Sequence, residues 1–344
     1  MIQVFTLAES KQWDEIVKSF KQHDVYWLSG YVKAFQLHGD GEPLLIYYND
    51  DIVRGINVVM KRDISKDSHF QGLLPPDEYF DFATPYGYGG WLTEGENTEK
   101  LFSEYEKWCC DNGIISEFVR FHPVADNQGF SEGAYEVIAL GQTVAMKLDS
   151  PDVIWANIIS KNRNMIRKAE KSGIEIHMGD SKELYEKFPE IYNQTMDRDN
   201  ATDYYYFKSD FYESIRQDLG DNSKIFYAVK DGEIIAVSII IYENGYLNYH
   251  LSGSLAEYRN LAPSNLLLYK AALWGNEIGC KTFHLGGGVG SGEDNLFKFK
   301  RAFYRGDDLC RFYIGKKIFI KEKYDELVNM RENVEGNFFP KYRA

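Results

Sequence analysis

Four adjoining segments decide the fold: Tyr246-Leu-Asn-Tyr-His-Leu-Ser-Gly-Ser254, Arg259-Asn-Leu-Ala-Pro-Ser264, Lys281-Thr-Phe-His-Leu-Gly-Gly-Gly288 and Leu296-Phe-Lys-Phe-Lys-Arg-Ala-Phe303. The first alternates as a strand. Pro263 opens a helix whose Leu267, Ala271, Trp274 and Ile278 fall at i, i+4, i+7 and i+11, one apolar stripe that stops at Gly279. The third reads as a strand ending in glycines, which let a ligand approach bare backbone. The fourth places Leu296, Phe299 and Phe303 on one helical face, with Lys298, Lys300 and Arg301 spread around it. Strand, polar turn, helix, glycine-ended strand and aromatic-lysine helix form a slot with a cation at its floor, which suits acyl transfer to an amine.

The same order of elements occurs twice. Pro43–Tyr48 and Ile52–Lys61 flank Asn49-Asp50-Asp51 as a hairpin, and Lys224–Lys230 and Glu233–Tyr242 flank Asp231-Gly232, a strong two-residue turn signal. Each hairpin is followed by a helix stopping at glycine and leading into a strand: Thr98–Asn112, Gly113 and Ile114–His122 in the first half, Pro263–Ile278, Gly279 and Cys280–His284 in the second. This pattern predicts an α+β chain of two duplicated domains, as its 344 residues also suggest. The seam falls at Asp149-Ser150-Pro151, where Ser150 can cap a helix begun by Pro151, giving domains over 1–149 and 150–344. One helix is expected from there to Gly173, further helices over Ser181–Met196 and Lys208–Leu219, and a closing amphipathic helix over Lys321–Asn333.

Apolar content of 44% allows full burial, and no stretch has the length of a membrane span or the form of an export signal, so a soluble cytoplasmic protein is expected. Cys109, Cys110, Cys280 and Cys310 lack Cys-x-x-Cys spacing and read as reduced thiols; the histidines show no metal-ligand spacing, so no metal is expected. A net charge of −13 opposes a broad nucleic-acid footprint and DNA as a partner, but permits a local basic patch. Arg163, Arg167 and Lys171 recur at i, i+4 and i+8 opposite Trp155, Ile158, Ile159, Ile166 and Ala169: either a solvated helix face or a phosphate site.

Gly286 to Gly292 fits neither G-x-G-x-x-G nor a P-loop, leaving Gly286 and Gly287 as a ligand-approach strand end or a plain loop. Arg259, Ala262 and Ser264 lie at a helix N-terminus, where free amides favour an anion such as pyrophosphate, or in an ordinary connection. His250 is a candidate proton acceptor beside Tyr249 and Ser252, or a hydrogen-bonded core histidine. The loop Asp81–Trp91, with Tyr86 and Tyr88, offers stacking surfaces for a ligand groove or forms a structural turn cluster.

At these residues the chain resembles the Fem family of peptidoglycan-bridge aminoacyltransferases and related GNAT-fold acyltransferases. Leu296, Phe299, Lys300 and Phe303 match the Leu-x-x-Phe-Lys-x-x-Phe segment of Fem-like proteins. Lys161, Asn162, Arg163, Ile166 and Lys168 before Gly173, and Thr195-Met-Asp-Arg198 before the tyrosines, are similar to further family elements. The resemblance implies two tandem GNAT-like domains, each a mixed, mostly antiparallel sheet flanked by helices, with an acceptor groove between or across them. It also implies that Lys300, with Phe299 beside it, stabilises an oxyanion, and that Arg198 and nearby tyrosines such as Tyr204 hold an anionic acceptor. The GNAT pyrophosphate pattern Arg/Gln-x-x-Gly-x-Gly/Ala is departed from, since Ala262 and Ser264 occupy its small-residue positions.

The function expected is transfer of an aminoacyl or acyl group to an amine of a cell-envelope precursor, such as a peptidoglycan stem peptide, with no tightly bound cofactor. The donor co-substrate is aminoacyl-tRNA or acyl-CoA. The alternatives are an acyl-CoA-dependent N-acyltransferase of an amino sugar or other small amine, and a non-catalytic module binding a cell-wall fragment or peptide.

Overall fold

Asp231 and Gly232 have φ of 52° and 85°, the paired positive values of a two-residue hairpin turn, and the strands they join form the centre of one of two similar sheets. The structure is a computed structural model that describes residues 1–331 and 336–344. In chain order it begins with β1 (Ile2–Phe5), α1 (Ser10–Lys18), α2 (Ser29–His38), β2 (Glu42–Asn49), β3 (Arg54–Asp63), β4 (Phe80–Ala83), β5 (Leu92–Glu94), α3 (Glu99–Asp111), β6 (Ile114–Arg120) and β7 (Glu136–Lys147). It continues through α4 (Pro151–Asn157), α5 (Ser160–Lys171), β8 (Glu175–Gly179), α6 (Lys182–Arg198), α7 (Ser209–Ser214), β9 (Ser223–Lys230), β10 (Glu233–Glu243) and β11 (Tyr246–Ser254). α8 (Pro263–Glu277), β12 (Thr282–Gly286), α9 (Asn295–Arg301), β13 (Cys310–Ile318) and α10 (Lys321–Asn329) complete it.

The chain divides into two compact units, Met1–Leu140 with Phe312–Ala344, and Gly141–Arg311. In the first, β1, β2, β3, β4, β6 and β13 lie side by side, antiparallel except for the β4–β6 pair. In the second, the order is β8, β9, β10, β11, β12 and the end of β7, antiparallel except for β11–β12. The expected α+β duplication into mixed, mostly antiparallel sheets is therefore the architecture. β10 is buried from Ile235 to Ile241, the run of a central strand covered on both faces.

The division differs from 1–149 and 150–344. Phe312–Ala344, expected in the second domain, packs in the first. β13 pairs with β6 from Ile314↔Arg120 to Ile318↔Ser116, and Tyr324, Leu327 and Tyr342 join Ile64, Phe70 and Ile115 in a buried cluster. Asp81, 0% exposed, accepts from Arg62 Nε at 2.7 Å, Arg343 Nε at 2.6 Å and Tyr342 Oη at 3.0 Å, tying the chain end to β4. Of the helix expected over Lys321–Asn333, α10 ends at Asn329, and positions 332 and 333 lie outside the described residues.

The single helix expected from Pro151 to Gly173 is two. Ser150 caps the first through Val153 N at 3.2 Å, as expected. Ile158 and Ile159 then turn extended, with ψ of 129° and 151°, burying Ile158 and restarting the chain as α5. The helix expected over Lys208–Leu219 does reach Leu219, as α7 followed from Ile215 by a wider π turn.

Candidate functional site

β11 and β12 pair only from Tyr246↔Thr282 to Asn248↔His284. Beyond that, β11 continues against β10 alone, with His250 bulged between Leu251↔Ile239 and Tyr249↔Ile240. β12 likewise skips Leu285 to pair Gly286 with Val144 on β7. Two parallel strands thus part at their C-terminal ends and open a wedge.

Lys300 occupies that wedge. Its Nζ donates to Gly287 O at 2.7 Å on the β12 side and lies 5.9 Å from the centroid of Tyr249 on the β11 side. The residue is 8% exposed. Burial pushes its ammonium down from 10.5 to about 8, with the charge of Asp294 partly opposing. Gly287 O is its one acceptor among the described residues, which leaves ammonium donors for an oxygen entering the wedge.

The face of α9 that turns inward is not the one read from the sequence. Phe297 and Lys300 are buried, whereas Leu296 is 39% exposed and Phe299 is half-buried against Phe303 at 5.5 Å. A helical wheel ranks lysine below leucine for burial, and this site inverts that order. Asp294 holds the helix start: Oδ1 accepts from Phe297 N at 2.8 Å and Oδ2 from Val289 N at 3.1 Å, folding the glycine loop onto the cap. Gly288 must lack a side chain, because a Cβ there would meet Gly292 O at 2.1 Å and Asp294 Oδ1 at 2.4 Å.

The other end of α9 is fixed through α5. Ala302 O accepts from Ile159 N at 3.1 Å and from Asn162 Nδ2 at 3.3 Å, while Asn162 Oδ1 accepts from Asn265 Nδ2 of α8 at 2.7 Å. The start of α8 has no side-chain cap; Ala262 precedes it at φ 61° and ψ 45°, the left-handed region. Alanine adopts that conformation at a cost that glycine would not bear. Ser264 is half-buried in the first turn, and Arg259 is exposed on the connection before it. Lys168 Nζ reaches Asn260 O at 2.5 Å.

On α5, Arg167 and Arg163 lie 5.1 and 6.0 Å from the Trp155 ring. Their hydrogen bonds go to neutral acceptors, Asn164 Oδ1 for Arg167, Trp155 O and Ser160 Oγ for Arg163. A shallow groove is lined by Asn164, Arg167, Lys168, Lys171 and Ser172. Among the described residues none of Arg163, Arg167, Lys168 and Lys171 pairs with a carboxylate, and Glu170 is taken by Lys270 at 3.3 Å.

Several expected site residues take other places. Burial holds His250 down to about 3, which works against its expected role as a proton acceptor near neutral pH. Ser252 Oγ donates to Val237 O at 3.0 Å, and burial raises the Tyr249 phenol. Arg198 Nη1 donates to Ser254 O at 3.1 Å, tethering α6 to the end of β11, where Thr195 Oγ1 also accepts from Ser254 N at 3.0 Å. Tyr204 is 38% exposed and meets Tyr205 and Phe207. Tyr86 and Tyr88 belong to the first unit: Tyr86 stacks on Phe35 and its carbonyl accepts from Tyr31 Oη at 2.6 Å, and Tyr88 meets Tyr26, His122 and Phe312. The wedge thus brings together Lys300, Tyr249 and Gly287, with Gly286 at the strand end and Phe299 on the same helix. Asp294, Asn162 and Asn265 were missed as site residues; only Asp294, an acidic residue before an apolar run, carried a readable capping signal.

Among the described residues, no group of three or more His, Cys, Asp or Glu side chains is placed to hold a metal, and no helix is long and apolar enough to cross a membrane.

Residues 158–301, which include α5, the wedge, α8 and α9, match the acetyltransferase (GNAT) domain family. Over 173 residues the chain is 25% identical to the UDP-N-acetylmuramoylpentapeptide-lysine N(6)-alanyltransferase of Weissella viridescens, covering 49% of this chain and 50% of that protein. The chain thus spans about half the length of the curated relative it matches. The structure is similar to that of FemX, with a TM-score of 0.67 at 14% identity over 95% of this chain and 99% of the other. It is also similar to L-PGS from Bacillus licheniformis, with a TM-score of 0.55 at 14% identity over 95% and 96%. The expected likeness to Fem-type proteins of the GNAT fold is borne out, and the match to the acetyltransferase domain lies within the second unit.

Proposed function

We propose that the chain is an aminoacyltransferase that moves an aminoacyl group from aminoacyl-tRNA to an amine of a peptidoglycan precursor in the cytoplasm. The carrying observation is Lys300, a buried ammonium held in the wedge between two parting strands with donors to spare. In this reading the lone pair of a neutral amine attacks the carbonyl carbon of the aminoacyl ester, and negative charge gathers on the carbonyl oxygen. A preorganised donor about 3 Å from that oxygen in a dry site contributes about 3 kcal/mol to the transition state. Collapse breaks the bond to the ribose oxygen, which leaves with the proton the amine sheds, and an amide remains. An α-amine, near 7.7, is partly neutral at physiological pH, whereas a lysine-type acceptor, near 10.4, must first lose its proton.

Two further features support a nucleic-acid-borne donor over acyl-CoA. Cations on α5 that pair with no carboxylate among the described residues fit successive phosphates, and they do so locally in a chain of charge −13. Ala262 and Ser264 replace the glycine-rich pyrophosphate pattern of acetyl-CoA users at the start of α8. Similarity to an alanyltransferase of UDP-N-acetylmuramoylpentapeptide supports a stem-peptide amine as acceptor.

The test is product formation by mass spectrometry, with alanyl-tRNA or acetyl-CoA as donor and UDP-N-acetylmuramoyl pentapeptide as acceptor. One added alanyl residue, dependent on the charged tRNA, is expected. Acetylated product alone would reassign the donor to acyl-CoA; no product from either, with the pentapeptide still bound, would leave a binding module.

A further inference from the structure

Asn162 is 2% exposed in the first turn of α5, yet its side chain serves neither its own helix nor solvent. Asparagine there ordinarily bonds nearby backbone. Here Oδ1 accepts from Asn265 Nδ2 at 2.7 Å and Nδ2 donates to Ala302 O at 3.3 Å, so one amide spans the first turn of α8 and the residue that ends α9.

We infer that Asn162 is a positioning residue that sets the separation between the Lys300 helix and the α8 N-terminus, and thereby between oxyanion donor and acyl-donor site. The inference rests on the oxyanion reading of Lys300. α9, Asn295–Arg301, is far too short to hold its own orientation, so the Lys300 ammonium sits where the clamps at its two ends put it. Asp294 is the clamp at the start. At the far end, Ala302 O is shared by Ile159 N and Asn162 Nδ2, and only the second bond links α9 to α8. Asn162 itself is buried and both bonds are partly shielded from water, so each counts more than it would at the open surface. The arms separate by substitution: Asn265→Ala removes only the α8 arm, whereas the near-isosteric, uncharged Asn162→Leu removes both, with Ile159 N still holding Ala302 O.

The experiment uses the full chain and two readouts. The first follows the rate of Lys300 acetylation by acetic anhydride against pH, read by mass spectrometry, and needs no substrate. Its midpoint is expected near 8 in the wild type and in Asn265→Ala, and displaced toward 10.5 in Asn162→Leu as the ammonium gains water. The second is steady-state transfer from alanyl-tRNA to UDP-N-acetylmuramoyl pentapeptide. Asn265→Ala should raise the donor KM about fivefold, the loss of one hydrogen bond, and lower kcat by less than Asn162→Leu does. Asn162→Leu should also lower kcat by about tenfold or more, as misplacement of a reacting group does. An Asn162→Leu midpoint or kcat equal to wild type would overturn the inference, as would an equal midpoint displacement in Asn265→Ala. If wild type transfers nothing from alanyl-tRNA, the proposed donor fails, and the labelling midpoints still decide whether Asn162 positions Lys300.

Discussion

Replacing Lys300 by methionine should make the protein more stable while removing its transfer activity. Burial holds the folded-state ammonium near 8 against 10.5, and at 1.36 kcal/mol per pH unit that gap corresponds to about 3 kcal/mol spent on keeping the charge in the wedge. Methionine fills similar volume without charge, but leaves Gly287 O without its donor, a loss of about 1.5 kcal/mol. The net gain is about 1 to 2 kcal/mol, or about 2 to 8 °C for a unit of this size. Below pH 8 the lysine is protonated in both folded and unfolded chains, and folding bears the full cost. Between 8 and 10.5 the unfolded chain keeps a proton the folded chain has released, so wild-type stability rises with pH through that window. Above it the cost is gone. Calorimetry of wild type and Lys300→Met at pH 7 and pH 10 should therefore show the advantage of the variant shrinking, while transfer falls by about 10²- to 10³-fold. A variant less stable than wild type at pH 7, or an advantage that does not change with pH, would refute a charge held at a cost for function.

Ala262→Gly should relieve a left-handed alanine worth about 1 kcal/mol, partly offset by chain entropy, raising the melting temperature slightly in a thermal scan. Arg343→Ala leaves the fully buried Asp81 with Arg62 and Tyr342 alone and should cost about 3 kcal/mol in urea unfolding. Charge reversal by Arg163→Glu with Arg167→Glu should weaken binding of bulk tRNA in filter assays and reduce the salt slope by about 2; an unchanged slope would remove α5 from the RNA footprint.

Much of the second unit was legible because its signals are local. Asp231-Gly232 announces its own turn, the stripe Leu267, Ala271, Trp274 and Ile278 announces α8, and Gly279 ends it. The closing strands β7 and β13 carried no such signal, since they pair with β12 and β6 far away in sequence, and so the C-terminal segment was assigned to the wrong unit. The break at Ile158 and Ile159 was hidden because two isoleucines fit a helix as well as a bend whose first member is buried. Lys300 was found by its glycine and aromatic company, yet its inward orientation was not, because hydrophobic patterning assigns lysine to solvent. Asn162 was visible only as part of a familiar motif; that its amide joins two other helices depends on side-chain geometry and leaves no periodic trace.

The most direct measurement is the pH dependence of the single-turnover rate of transfer from alanyl-tRNA to UDP-N-acetylmuramoyl pentapeptide, for wild type and Lys300→Arg. If the Lys300 ammonium stabilises the oxyanion, the wild-type rate turns down as pH rises through about 8, and residual activity in Lys300→Arg keeps rising beyond it, because arginine stays charged. A wild-type rate that climbs steadily to pH 10 would contradict that role.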